Sequence, residues 1–495
     1  MEFWSNIINT AMIGTDKKMI GAADLPSELD EAIIQIQGNE AIDKEEKFLQ
    51  IASLAFSYRQ AGVMPLRKET ISISQSPTEE KMYCNAATMQ ALKDIQSSES
   101  VPLLKFWLQL CDEKNKIVQP EIIPSLLVEG VQQKKQQTLI AACCGKRGEW
   151  LSRFNESWNF SQNQTAEQLW QTGTPEQRKS IFKETRENDP ALAREWLMQT
   201  WSQEDANTKT AFLEIFSINI GEADIFFLES LASEKSKKVK EEASGLLKRI
   251  PLSAVVQLYQ QVLQQSVELR KEKALLGLSS KMVLKFQLPS VIDEPIYKNG
   301  IDKLSNNKDF TDEEFIICQL IQSVPPTFFE RQLGIDAKSV IEYFQKDAIG
   351  KKMMAALVIA TTKFNDANWA IHLMQYSNVF YLDIMPLLPE PQQEFYSNKF
   401  FEQHADQIIQ YAVQRGTEWS IELTKSIFRH IAKNPYQYTR SFFNQHIHLF
   451  PAPIIGQLEK CTPQEEHFRA MWSNSSDYII KLVSLKIQTL KAFNE

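Results

Sequence analysis

The stretch 142–154, ACCGKRGEWLSRF, gathers more reactive residue types than any other in this 495-residue chain. It holds adjacent Cys143 and Cys144, a Gly145–Lys146 step, Arg147 and Trp150. A phosphate cradle needs G-x-x-x-x-G-K-[ST], so that backbone amides wrap the phosphate while the lysine reaches it. Ile140 stands where the first glycine would be and Arg147 where the hydroxyl would be, so the motif fails twice. Adjacent cysteines have neither zinc-ligand spacing nor the geometry of a relaxed disulfide. With no CxxC anywhere, Cys84, Cys111, Cys143, Cys144, Cys318 and Cys461 read as reduced thiols packed as small hydrophobes. What remains is a cation–aromatic patch of Lys146, Arg147 and Trp150, with Lys17 as a further basic candidate. These four residues are the candidate partner surface. The competing reading is a solvated loop where two helices meet, with Trp150 tucked into the next hairpin.

Other constellations are weaker. All six histidines follow residue 371, and NQHIHLF contains an HxH. Residues two apart on a helix diverge, however, and no HExxH is present, so no metal site is expected. The acids of TDEEF and KEEAS sit where helix first turns favour negative charge. The densest basic run, Lys235, Lys237, Lys238 and Lys240, is flanked by Glu234, Glu241 and Glu242. It reads as a solvated inter-helix loop, with a phosphate-backbone contact as the rival. Neither G-x-S-x-G nor G-x-G-x-x-G occurs, so hydrolase and dinucleotide readings lack support. No catalytic residue and no cofactor is expected.

The elements that would carry such a surface are helices. Only 16 glycines occur, few for a β-rich protein with many tight turns. In TPEQRKSIFKETRE, Thr174 and Pro175 mark a helix start, with Ile181 and Phe182 inward. Asp189 and Pro190 mark the next, with Leu192, Trp196, Leu197 and Trp201 in an apolar stripe. Phe212, Leu213, Phe216 and Ile220 follow, then Ile225, Leu228 and Leu231, then Val239, Ala243, Leu246, Leu247 and Ile250 before Pro251. Such units recur about every 20–30 residues, the range of stacked helical repeats. None buries its stripe alone, so each must pack on its neighbours. Later helices include a strongly apolar one in AIGKKMMAALVIATTKF, one with Trp369 inward, and one running from a Thr417 cap to Pro435. The last puts Ile479, Leu482, Val483, Ile487 and Leu490 on one face and Lys481, Lys486 and Lys491 largely away from it.

Two stretches break the rhythm. Ile71 and Ile73 alternate with polar residues before Pro77, and Met282, Leu284, Phe286 and Leu288 alternate before two prolines. Period-two alternation signals a strand, a small hairpin or an extended linker. The expected fold is all-α, an α-solenoid of HEAT-like stacked hairpins with at most a short β-hairpin or extended linkers. Its expected parts are an N-terminal helical segment (1–75), a repeat core (76–280), a linker or hairpin (281–300) and a C-terminal helical domain (301–495).

The net charge of −8 counts against phosphate-backbone binding. No basic start followed by an apolar run opens the chain, and no run of 18 apolar residues occurs, so neither a signal peptide nor a membrane partner is expected. The expected location is cytoplasmic.

The segments NTAMIGTDKK, SYRQAGVMPL, CCGKRGEWLSRFNESW, LWQTGTPEQRKSIFKETRENDPALAREWLMQTWSQED and FFLESLASEKSKKVKEEASGLLKRIP occur in this order. Together they resemble an uncharacterised bacterial family of helical-repeat proteins, and the likeness covers most of the chain. It is strongest over 145–251, which also resembles HEAT-type repeats. The family has no established activity. Its genes lie beside those of a MoxR-type AAA ATPase, a von Willebrand factor A domain protein and a SWIM zinc-finger protein. The resemblance therefore implies an accessory role in a multi-protein assembly. The family often has Arg where this chain has Lys17 and Lys146, which keeps the charge but not a guanidinium fork. The leading expectation is a non-catalytic scaffold that binds other proteins, the AAA ATPase or the von Willebrand factor A domain protein among them. The alternative is a nucleic-acid-binding HEAT-like protein. An enzyme of unknown class is the third reading, and no small-molecule substrate is evident.

Overall fold

Thr174 accepts a hydrogen bond from the Gln177 amide at 3.3 Å, and the Gln177 side chain accepts one from the Thr174 amide at 2.9 Å. This reciprocal cap opens the helix Pro175–Asn188. Asp189 accepts from the Leu192 amide at 3.0 Å and opens Pro190–Thr200. Both starts fall where the sequence places them. One start differs: the helix expected from Thr417 begins at Ile421, capped by Ser420. The basic run also differs, because Ser236 caps a helix Lys237–Leu247 and most of the lysines occupy its first turn.

The computed structural model describes residues 2–62, 74–160, 165–273, 280–377 and 379–495. The protein is an all-α, helical-repeat fold with two short two-stranded ladders among the described residues. It divides into two units, Met1–Gln75 and Ser76–Glu495. In the first, the helices Glu2–Ile13, Asp30–Gln37 and Lys44–Ala61 close on Ile7, Ile20, Leu29, Ile33 and Ile51.

Within the second unit, the helices from Ala166–Thr172 to Lys237–Leu247 stack so that each meets its near neighbours in sequence, as repeats do. Their own core holds Trp170, Phe182, Trp196, Phe212, Phe216 and Leu246. Trp170 stacks on Phe182 and Trp196 with centroids 5.3 and 5.8 Å apart. The apolar stripe of Pro190–Thr200 turns inward at Trp196 and Leu197, whereas Leu192 stays 38% exposed.

Alternation at Met282–Phe286 is a strand, Ser280–Phe286, paired antiparallel with Val267–Lys273. Leu269 faces Leu284 across the ladder, and Lys285 pairs with Glu272 at 2.9 Å. The hairpin is no free linker: Val267 and Leu284 are buried in a core that runs on through Ile317, Phe344, Leu357 and Trp369. Ile71 and Ile73 lie outside the described residues.

The third core crosses the chain. Leu92, Trp107, Leu126 and Cys143 share it with Phe428, Phe450, Ile479 and Leu482. The Trp107 and Phe493 rings meet at 5.2 Å, Ser100 donates to Asn444 at 2.6 Å, and Gln488 donates to Asp94 at 2.8 Å. The first and last helices of this unit therefore pack on each other. The helix Glu466–Asn494 has an apolar face where expected, but Lys486 lies on it. Lys486 is buried and donates to Glu418 at 2.6 Å and to the carbonyls of His448 and Phe450. Those three acceptors allow an ammonium on a buried face. Among the described residues, no helix is long and apolar enough to cross a membrane.

Candidate partner surface

The GKR step lies inside the helix Gln137–Ser152 and breaks it. Gly145 has φ 63° and ψ −162°, a region open in practice only to glycine. The break starts a new helical turn whose amides need acceptors. Glu79 supplies them, accepting from the Lys146 amide at 3.1 Å and the Arg147 amide at 2.6 Å. A Cβ on residue 145 would stand 2.7 Å from the Glu79 carboxylate. Gly145→Ala therefore adds backbone strain and a clash, with an expected cost of about 1–3 kcal/mol. Glu79→Ala removes both charge-assisted bonds, with an expected cost of about 1–3 kcal/mol. Urea unfolding checks both variants, and the double variant should lose less than the sum because both act on the same turn.

Lys146 is engaged at its tip as well, 2.5 Å from Glu80. Arg147 and Trp150 are half-buried, and the Trp150 ring meets Phe154 edge-on at 5.1 Å. Phe154 is 57% exposed, so the aromatic part of the patch reaches solvent through a residue not among the four candidates. Lys146, Arg147 and Trp150 thus lie together in the second unit. Lys17 is an exposed residue of the first, in the turn after Glu2–Ile13. The stretch is a helix break braced by an acidic residue from 67 positions upstream in place of a solvated loop.

Cys143 and Cys144 are buried, as are the other four thiols. Burial, then the nearby Glu79 carboxylate, pushes the Cys144 thiol up to about 12. Cys84 and Cys111 lie with sulfurs 3.7 Å apart and are also pushed up. Thiols held protonated are poor nucleophiles and poor metal ligands. The histidines go to separate partners: His372 stacks on Tyr376, His430 meets Asp406 at 3.3 Å, and His467 meets Tyr436 at 3.0 Å.

A second polar place was not singled out in the sequence. A cleft of about 410 Å³ lies beside the helix Ile421–Lys433 and the end of the 3₁₀ segment Ala452–Cys461. Ser426, Arg429 and Lys433 line it from one helix face, and Lys460 and Thr462 line it from the other segment. The spacing Ser426, Arg429, Lys433 was available as a signal, since residues three and four apart share a helix face. Lys460 could not be joined to them without the fold.

Elsewhere, Lys363 ends the helix Ala348–Lys363 half-buried. Burial, then repulsion from Lys248 and Arg249, lowers its ammonium from 10.5 to about 8. The folded state therefore binds that proton more weakly than the unfolded chain does. Below pH 8 both states hold the proton, and folding bears the full cost. As pH rises from about 8 towards 10.5, the folded amine loses its proton first and the cost disappears. Lys363→Met should thus stabilise the protein at pH 7, with the gain shrinking by pH 10 in paired urea titrations.

A family model described as "Family of unknown function (DUF5691)" matches residues 6–493. Neither a curated protein nor a solved structure matches the chain.

Proposed function

We propose that this chain, which belongs to that family of unknown function across residues 6–493, is a non-catalytic protein-binding scaffold, accessory to a MoxR-type AAA ATPase system. One observation carries the reading. The repeat segment from Ala166–Thr172 to Lys237–Leu247 buries its own core and leaves a stripe of one helix facing out. Leu192, Glu195, Met198 and Gln199 form that stripe on Pro190–Thr200, and Leu192 and Met198 are 38% and 46% exposed. Stacked helices hold such side chains in fixed positions at little entropic cost, which is how repeat proteins bind partners. Phe226, 79% exposed, adds apolar surface on the same segment.

The test mixes the purified chain with the MoxR-type ATPase and, separately, with the von Willebrand factor A domain protein, and follows complex formation by calorimetry. A complex weakened about tenfold or more by Leu192→Asp with Met198→Asp, or by Arg147→Ala with Trp150→Ala, supports the scaffold. Absence of a complex with either protein, or a complex indifferent to both pairs, contradicts it.

A further inference from the structure

We propose that the cleft beside Ile421–Lys433 is a binding site for a small phosphate-bearing anion, held by Arg429, Lys433 and Lys460 with the hydroxyls of Ser426 and Thr462. It is independent of the scaffold reading, because it involves a different part of the second unit.

Three observations converge. The first is unmatched charge. Arg178 pairs with Glu204, Lys209 with Glu234 and Lys352 with Glu314, each within 3.0 Å. Arg429, Lys433 and Lys460 are exposed and, like the exposed Lys17 and Lys481, take part in no ion pair among the described residues; what sets them apart is that all three line one cleft. The helix C-terminus accounts for cations at 429 and 433, since its dipole favours positive charge there. It does not account for Lys460, which arrives from another segment.

The second is donor chemistry. The residues lining the cleft carry a guanidinium, two ammoniums and two hydroxyls, donors that suit the several acceptor oxygens of a phosphate. Neither hydroxyl has a protein hydrogen-bond partner among the described residues. His430 also lines the cleft but its Nε2 is turned to Asp406, 3.3 Å away, so it is already partnered.

The third is size and field. The volume of about 410 Å³ lies within the range of small-molecule sites. Burial pushes the thiol of Cys461, which also lines the cleft, up, and Arg429 and Lys425 offset part of that rise. Glu402 and Glu465 also line the cleft and leave a net excess of one positive charge. They oppose a bound anion, so neutralising one of them should tighten binding.

The experiment titrates the full chain at low ionic strength with inorganic phosphate and with pyrophosphate, read by calorimetry. Saturable binding is expected, about tenfold weaker in Arg429→Gln with Lys433→Gln and a few-fold tighter in Glu402→Gln. Lys237→Gln with Lys238→Gln removes the same net charge elsewhere and should change nothing. Lack of saturable binding in the wild-type chain overturns the site, as does an equal loss in the 237/238 variant. Binding of a phosphoserine peptide with neither phosphate nor pyrophosphate bound overturns the small-ligand assignment. Circular dichroism confirms that each variant is folded, and Lys460→Gln alone gives a milder second reading.

Discussion

Replacing Asp224 with alanine is expected to destabilise the second unit by about 3–5 kcal/mol, the cost of stranding a buried charge. Asp224 is 2% exposed and receives two guanidiniums, from Arg186 and from Arg194 at 2.9 Å. It also accepts from the Gly221 amide at 3.0 Å. Arg186 is fully buried. Its remaining donors go to the carbonyls of Pro190 at 2.9 Å, Ile218 at 2.7 Å, Phe216 at 3.2 Å and Asn219 at 3.3 Å, and its guanidinium lies 4.0 Å from the Phe216 ring centroid. One arginine thus ties the end of Pro175–Asn188 to the next two helices and the loop after them. Removing the carboxylate leaves that guanidinium in the core without its counter-charge. Arg186→Met with Asp224→Leu should cost much less than the sum of the single changes, because no unpaired charge remains in the core and Arg194, which loses its partner, is partly exposed to water. Urea unfolding at pH 7 of the two singles and the double measures this. A loss within about 0.5 kcal/mol for Asp224→Ala, typical of surface positions, would show that the pair is not buried as described.

Phe493→Ala is the second large effect, expected to cost about 3–5 kcal/mol as a core phenylalanine truncation. Phe493 is 4% exposed and packs on Trp107, whose indole N–H donates to the Thr88 carbonyl at 3.0 Å. The damage should be felt at both ends of the second unit. Val101–Glu113 and Glu466–Asn494 share one core, so a cavity at Phe493 loosens helices distant in sequence. The matching change at an exposed position of the last helix, Lys481→Ala, should be close to neutral.

How much of this was legible depends on distance along the chain. Caps at Thr174 and Asp189, the inward face from Val239 to Ile250 and the burial of Trp369 rest on neighbours within a few residues, and the sequence displays them. The hairpin was half visible. Ser280–Phe286 alternates, but its partner VELRKEK is dominated by charge and hides as a polar run. Lys486 looked solvent-facing because its acceptors, Glu418 and two carbonyls, come from segments 36 to 68 residues away. Glu79 bracing the Gly145 break was illegible for the same reason. The four candidate surface residues stand out by type alone, and the fold pairs Lys146 with Glu80. The closure of helices 86–152 on 401–494 has no local signature at all, since each stripe is satisfied equally well by any apolar neighbour.

Hydrogen exchange of the wild-type chain and Phe493→Ala tests that closure most directly. If the two ends of the second unit form one core, the slowest amides of Val101–Glu113 and of Glu466–Asn494 open with a common free energy, and both fall together in the variant. If the last helix loses protection while Val101–Glu113 keeps its own, the ends are separate bodies and the shared core does not exist.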